Sequence, residues 1–176
     1  EPIADSSIVP TYLLSMFARE QVTVALSGDG ADELFAGYAP FKALRWAQAM
    51  NLFLPKACIT SFEKLAKKMP VQHGYMSLDY KIKRALAGIT QHPKYWVASW
   101  MAPANIEEIN RVVCDGTNHT VDEIYSEVAS AWNECTQADL ASKTLQFFTN
   151  IYLQDDILPK ADRVSMMHGL EVRSPF

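Results

Sequence analysis

Chemistry in this sequence is concentrated in one short run, Ser27-Gly28-Asp29-Gly30-Ala31-Asp32-Glu33, which stands directly behind the apolar stretch Val22-Thr23-Val24-Ala25-Leu26. A strand that ends in a glycine turn and continues into a helix directs backbone N–H groups and the positive end of that helix at whatever lies in front of it. Phosphate or another anion suits such a place. Yet Asp29, Asp32 and Glu33 crowd the same turn, and acids repel an anion unless a metal ion stands between them or unless they grip a protonated group instead. Magnesium carried by a nucleotide meets both demands. The run has no Gly-Lys-Ser/Thr, the third glycine of a dinucleotide fingerprint would fall at Glu33, and the layout is not that of a calcium loop. Acids in a first helical turn also stabilise the helix by about 0.3–1 kcal/mol each, and Asp29 can serve as its cap. Taken alone, the run therefore also reads as a capped helix start with no ligand.

The elements that must position this run follow from periodicity. Residues 7–19 carry Val9, Leu13, Met16 and Phe17 at helical spacing, with Ser6 or Ser7 to cap and Pro10 early enough to be tolerated, so a helix is expected to end near Arg19. The β-branched, nearly all-apolar stretch at 22–26 is the pattern of a short strand buried on both faces of a parallel sheet. From Ala31 to about Ala49 the chain reads as helix, with Pro40 interrupting it or marking a break between two helices. Residues 55–115 alternate short helical patterns with Pro55, Pro70, Pro93 and Pro103, and Tyr75, Tyr80, Tyr95, Trp96 and Trp100 supply apolar area. Helical spacing returns at 120–135, at 139–153 and at about 156–167. No repeat or low-complexity segment is present.

Bulk properties exclude several classes of function. The chain has 176 residues, enough for one compact domain, with 49% apolar and 20% charged residues, far from the composition of a disordered chain. A net charge of −4 gives no basic field to recruit a nucleic-acid backbone. Apolar runs fall short of the roughly 20 residues that a membrane helix needs, so neither nucleic acid nor membrane is an expected partner. Cys58, Cys114 and Cys135 contain no C-x-x-C pair, which argues against a disulfide framework or zinc knuckle and fits a reduced, cytoplasmic setting. Glu1-Pro2-Ile3 without a Met, and Ser174-Pro175-Phe176 at the entry to an apolar segment, give both ends the look of cuts.

Read with the rest of the chain, the acidic run acquires a context. Leu26 to Tyr38 resembles the S-G-[DE]-G-[AS]-D-E-x-F-x-G-Y signature of the asparagine synthetase family. Residues 1–12, Glu1 to Tyr12, resemble that family's segment just upstream, and Leu158 to Phe176 resembles its L-x-K-x-D-R-x-S-M-x-x-x-L-E-x-R-x-P-F segment. The three stand in the family's order and at its usual separation. Residues 50–135 add little to the likeness.

The resemblance implies an α/β parent with a parallel sheet of the adenine-nucleotide α-hydrolase type, of which this chain is a mostly α-helical part with one or two strands. It implies a parent that activates a carboxylate, aspartate or a similar acid, with ATP and Mg2+. The acyl-adenylate and pyrophosphate form first, and ammonia drawn from glutamine then displaces AMP to leave an amide. Ser27, Gly28 and Gly30 would line the nucleotide, Asp29 would be the catalytic carboxylate near substrate and attacking amine, placed to serve as base, and Asp32 would be a magnesium ligand. A homodimer is compatible with the family. Glu33 is expected to support the site or the helix start. Lys160, Asp162, Arg163, Glu171 and Arg173 are expected to form a paired network that orients their helix, and His168 to pack. The family's S-G-G-x-D-S pyrophosphate loop, a downstream Lys and the glutaminase domain fall outside these residues, so the piece by itself is expected to be inactive. A β-lactam synthetase-like enzyme, an exopolysaccharide-linked amidotransferase or a non-catalytic helical module are the competing expectations.

Overall fold

The computed structural model describes residues 5–70, 72, 74, 77–113, 117–137 and 139–175. Expectations that rest on residues 1–4, Tyr75, Cys114 and Phe176 lie outside these. The chain divides into two compact units, one made of Glu1–Tyr38 with Leu145–Phe176, the other of Ala39–Thr144.

The first unit begins with α1, Ile8–Arg19, whose end at Arg19 is where the periodicity placed it. Ser7 occupies the cap position without its side chain bonding the helix. Its N–H and hydroxyl both go to the Asp5 carboxylate, at 2.9 and 2.6 Å. β1 is Val24–Leu26, shorter than the apolar run, and it pairs in parallel with β2, Glu171–Arg173, in the register Val24 to Glu171 and Leu26 to Arg173. The expectation that this strand is buried on both faces is corrected. Leu26 is 77% and Val24 43% exposed, and among the described residues β1 is paired along one edge only. Apolar composition states what a strand tolerates, whereas its neighbours decide what is covered.

A short helix α2, Ala31–Phe35, follows the acidic run, and α3, Ala39–Phe53, follows α2. Of the two readings open around Pro40, an interrupted helix or a break between two helices, the structure has the second, and α3 runs on past Ala49 to Phe53. The break falls at residues 36–38, where Ala36 adopts φ 57°, a left-handed conformation that ends a helix. Pro40 lies in the first turn of α3, where its missing N–H costs nothing.

At the other end of the chain, α10, Leu140–Phe147, passes into a π-helical stretch, Phe148–Ile157, then into α11, Leu158–Met166, and β2. The expected continuous helix over 139–153 therefore changes its winding at Phe148. Thr149 at this junction donates its hydroxyl to the carbonyls of Leu145 and Gln146, at 3.1 and 3.2 Å, taking up acceptors where the ordinary ladder lapses. Phe148, Val164, Ser165 and Leu170 form the buried centre of this unit together with Glu33.

The regular elements of the second unit are all helical among the described residues. α4, Lys56–Lys67, starts behind Pro55, and α5 spans Leu78–Leu86. A 3-10 turn at Pro93–Tyr95 leads into α6, Trp96–Met101. α7, Ile106–Val112, and α8, Val121–Ile124, each open with a reciprocal capping box, Asn105 with Glu108 and Thr120 with Glu123. α9, Ser126–Glu134, completes the stretch read as one helix over 120–135, broken at Tyr125. Of the aromatics expected to supply its core, Tyr95, Trp96 and Trp100 are buried, while Tyr80 is exposed. No described helix is long and apolar enough to cross a membrane.

Candidate functional site

All the residues singled out for nucleotide chemistry lie in the first unit, Ser27 to Gly30 on the turn between β1 and α2 and Asp32 in the first turn of α2. The turn is tied down from the opposite end of the chain. Glu171 donates its N–H to the Thr23 carbonyl at 3.0 Å, and Ser27 donates its N–H to the Arg173 carbonyl at 2.9 Å, which carries the parallel ladder to the edge of the turn. One residue on, the Ser174 hydroxyl donates to the Asp29 carbonyl at 2.5 Å. Gly30 is buried and sits at φ 94°, a conformation that glycine reaches without a Cβ penalty, so the chain can double back into α2. Gly28 is exposed, with nothing within 4 Å of the place a Cβ would occupy, leaving room for a ligand to approach the backbone.

The three acids of the turn separate by burial. Asp32 is exposed and Asp29 half-buried, so both carboxylates can meet a ligand. Glu33 is only 2% exposed. Its carboxylate accepts a hydrogen bond from the Tyr38 hydroxyl, whose ring stacks on Phe148 with centroids 4.7 Å apart and meets the edge of Tyr152. Burial first, and the Glu33 carboxylate second, push the Tyr38 phenol well above its usual range. Glu33 is therefore a structural acid that fixes α2 against the π-helical stretch. Gly37 completes this arrangement: a Cβ there would fall 2.0 Å from Asp32 Oδ1, so any side chain at 37 would drive the Asp32 carboxylate out of place. Tyr38 was visible in the sequence as part of a motif, but its partners Phe148 and Tyr152 carried no signal there.

The charged residues near the end of the chain pair in more than one place. Lys160 reaches back to Asp5 Oδ2 at 2.5 Å and to the Ser7 hydroxyl at 2.7 Å. Glu171 and Arg173 pair with each other at 2.6 Å because alternate residues of a strand share a face. Asp162 and Arg163 lie exposed on α11. His168 packs as expected, its ring meeting Tyr12 with centroids 4.3 Å apart.

The Lys160 contact has a consequence for pH. The hydrogen bond from Lys160, then that from Ser7, lowers Asp5 from an ordinary 3.8 to about 2. A depressed carboxylate stabilises the fold above its unfolded value, and that contribution disappears as pH falls through the folded value. The urea midpoint is accordingly expected to drop between about pH 4 and pH 2 in the wild type, and to lose that segment of its pH dependence in Lys160→Met. Identical profiles for the two proteins would refute the assignment.

Among the described residues no group of three or more His, Cys, Asp or Glu side chains could hold a metal. Magnesium is commonly held through one or two carboxylates with waters and substrate phosphates completing its shell, and an exposed Asp32 beside an open glycine turn fits that shared kind of site.

Comparison with known proteins follows the same line. The family model described as asparagine synthase matches residues 1–176. A Mycobacterium tuberculosis protein provisionally named an asparagine synthetase (glutamine-hydrolyzing) is 31% identical over 179 residues, covering 100% of this chain and 26% of its own length. Asparagine synthetase (glutamine-hydrolyzing) 1 of Bacillus subtilis is 27% identical over 182 residues, again with 100% of this chain and 26% of that protein covered. A Methanocaldococcus jannaschii protein provisionally given the same name, with the number 2, is 60% identical over 38 residues, which are 22% of this chain and 7% of that protein. The chain thus spans about a quarter of the length of the curated relatives that match it throughout. No solved structure gives a significant match.

Proposed function

This chain belongs to the asparagine synthase family, and from that premise we propose that its β1–α2 turn is one half of a Mg-ATP site in an enzyme that adenylates a carboxylate and converts it to an amide. The carboxylate is aspartate or a close relative, the ammonia comes from glutamine, and AMP and pyrophosphate are released. The observation that carries this reading is convergence. Residues 27–32 and residues 171–174, from opposite ends of the chain, are joined by a parallel strand pair and a side-chain tether into a single turn. A capped helix start needs no such tether.

In this reading Ser27, Gly28 and Gly30 line the nucleotide, with Gly28 leaving the backbone open to close approach. Asp32 would hold Mg2+, which when bound neutralises charge on the departing pyrophosphate. Asp29, half-buried, takes the proton from the incoming amine. Glu33 and Tyr38 hold the turn in shape without touching substrate.

Supplied with ATP, Mg2+, aspartate and glutamine, the intact protein is expected to yield AMP, pyrophosphate and asparagine in equal amounts. Release of only ADP and phosphate, with every acid tried, would overturn the reading.

A further inference from the structure

We propose that Ser174 is a positioning residue for the nucleotide turn, holding the Asp29–Gly30 peptide in one orientation from across the sheet. The proposal rests on the Mg-ATP reading of that turn. Ser174 Oγ donates to the Asp29 carbonyl at 2.5 Å, a partly buried contact between residues 145 positions apart. Asp29 stands between Gly28 and Gly30, and neither neighbour raises a local barrier to rotation of the peptides around it. Gly28 lies in open space, and Gly30 holds φ 94°. Locally the turn is closed by a long bond from the Ala31 N–H to the Gly28 carbonyl, at 3.4 Å, which leaves the Asp29–Gly30 peptide weakly held and gives a tertiary contact room to fix its orientation.

A planar trans peptide points its C=O and N–H in opposite directions. Anchoring the Asp29 carbonyl on Ser174 thus aims the Gly30 N–H away from the β2 side. It also limits where the Asp29 side chain can go. Backbone pairing alone does not do this, because the ladder ends one residue earlier, at the Ser27 N–H and the Arg173 carbonyl. The last contact is made by a side chain, so a single substitution removes it and leaves the strand pairing whole.

The test uses the intact protein with Ser174→Ala and Ser174→Thr, read in two ways: hydrogen–deuterium exchange of the segment around residues 27–31, and steady-state kinetics with ATP varied. Loss of one hydrogen bond is expected to raise KM for ATP by about five- to tenfold with much less change in kcat. Exchange in the turn is expected to quicken, and Ser174→Thr, which keeps the hydroxyl, is expected to restore both. If Ser174→Ala does not fold, Ser174→Cys, with a longer and weaker donor, takes its place in the comparison. Unchanged exchange in the turn would overturn the tether itself. Faster exchange with an unchanged KM for ATP would instead overturn the assignment of the turn to nucleotide, and this proposal with it.

Discussion

Asp32→Asn is expected to lower kcat/KM of the intact protein by roughly 10²–10³-fold, on the basis that metal-assisted charge neutralisation contributes several kcal/mol and each 1.36 kcal/mol is a factor of ten. Asn is nearly the same size and keeps one oxygen, so the substitution removes charge while leaving space unchanged. Asp32 is exposed in the first turn of α2, and its packing contributes little to the fold. Stability should consequently change by less than about 0.5 kcal/mol, the range usual for exposed positions. The loss should also be relieved in part by raising magnesium, since a weakened ligand is compensated by mass action. Kinetics across a magnesium series would check both points. Near-normal activity at low magnesium would remove Asp32 from the metal site.

Tyr38→Phe is expected to have the opposite profile, a large loss of stability with little direct effect on chemistry. The substitution deletes one oxygen and leaves the Glu33 carboxylate, 2% exposed, without its hydroxyl donor. Stranding a buried charged acceptor costs roughly 2–3 kcal/mol. The ring remains to stack on Phe148, so the cost isolates the hydrogen bond from the packing. Replacing Glu33 by Gln as well should recover part of it, because the double variant no longer buries an unpaired charge. Urea unfolding of the two single variants and the double variant closes the cycle. A loss for Tyr38→Phe below about 0.5 kcal/mol would show that Glu33 finds its stabilisation elsewhere.

These two substitutions mark how far the site was legible in the sequence. Strand, glycine turn and helix were readable from composition and periodicity, and the first helix, expected to end near Arg19, does end there. Asp29, Asp32 and Glu33 were seen as three acids in one turn, yet nothing local separated their roles. Burial does separate them, and burial is set by what packs above α2. Phe148 and Tyr152 supply that cover from more than 100 positions away, inside a segment whose apolar spacing reads as ordinary helix. The charged residues near the end of the chain were likewise visible as charges. Their partners were not, since Lys160 pairs with Asp5 across 155 positions.

What the sequence determined by itself was the chemistry at hand: the order strand, acidic glycine turn and helix, the conformational freedom at Gly28 and Gly30, and three motifs whose resemblance named a family. Local pattern suffices for these because each depends on residues within a few positions of one another. Only the tertiary structure decided that β1 pairs with β2, that the Ser174 hydroxyl anchors Asp29, and that Glu33 is buried beneath Tyr38 while Asp32 stays open. Each of those is a contact between segments distant in the chain, made by groups whose types permit many partners, and only the folded arrangement selects one.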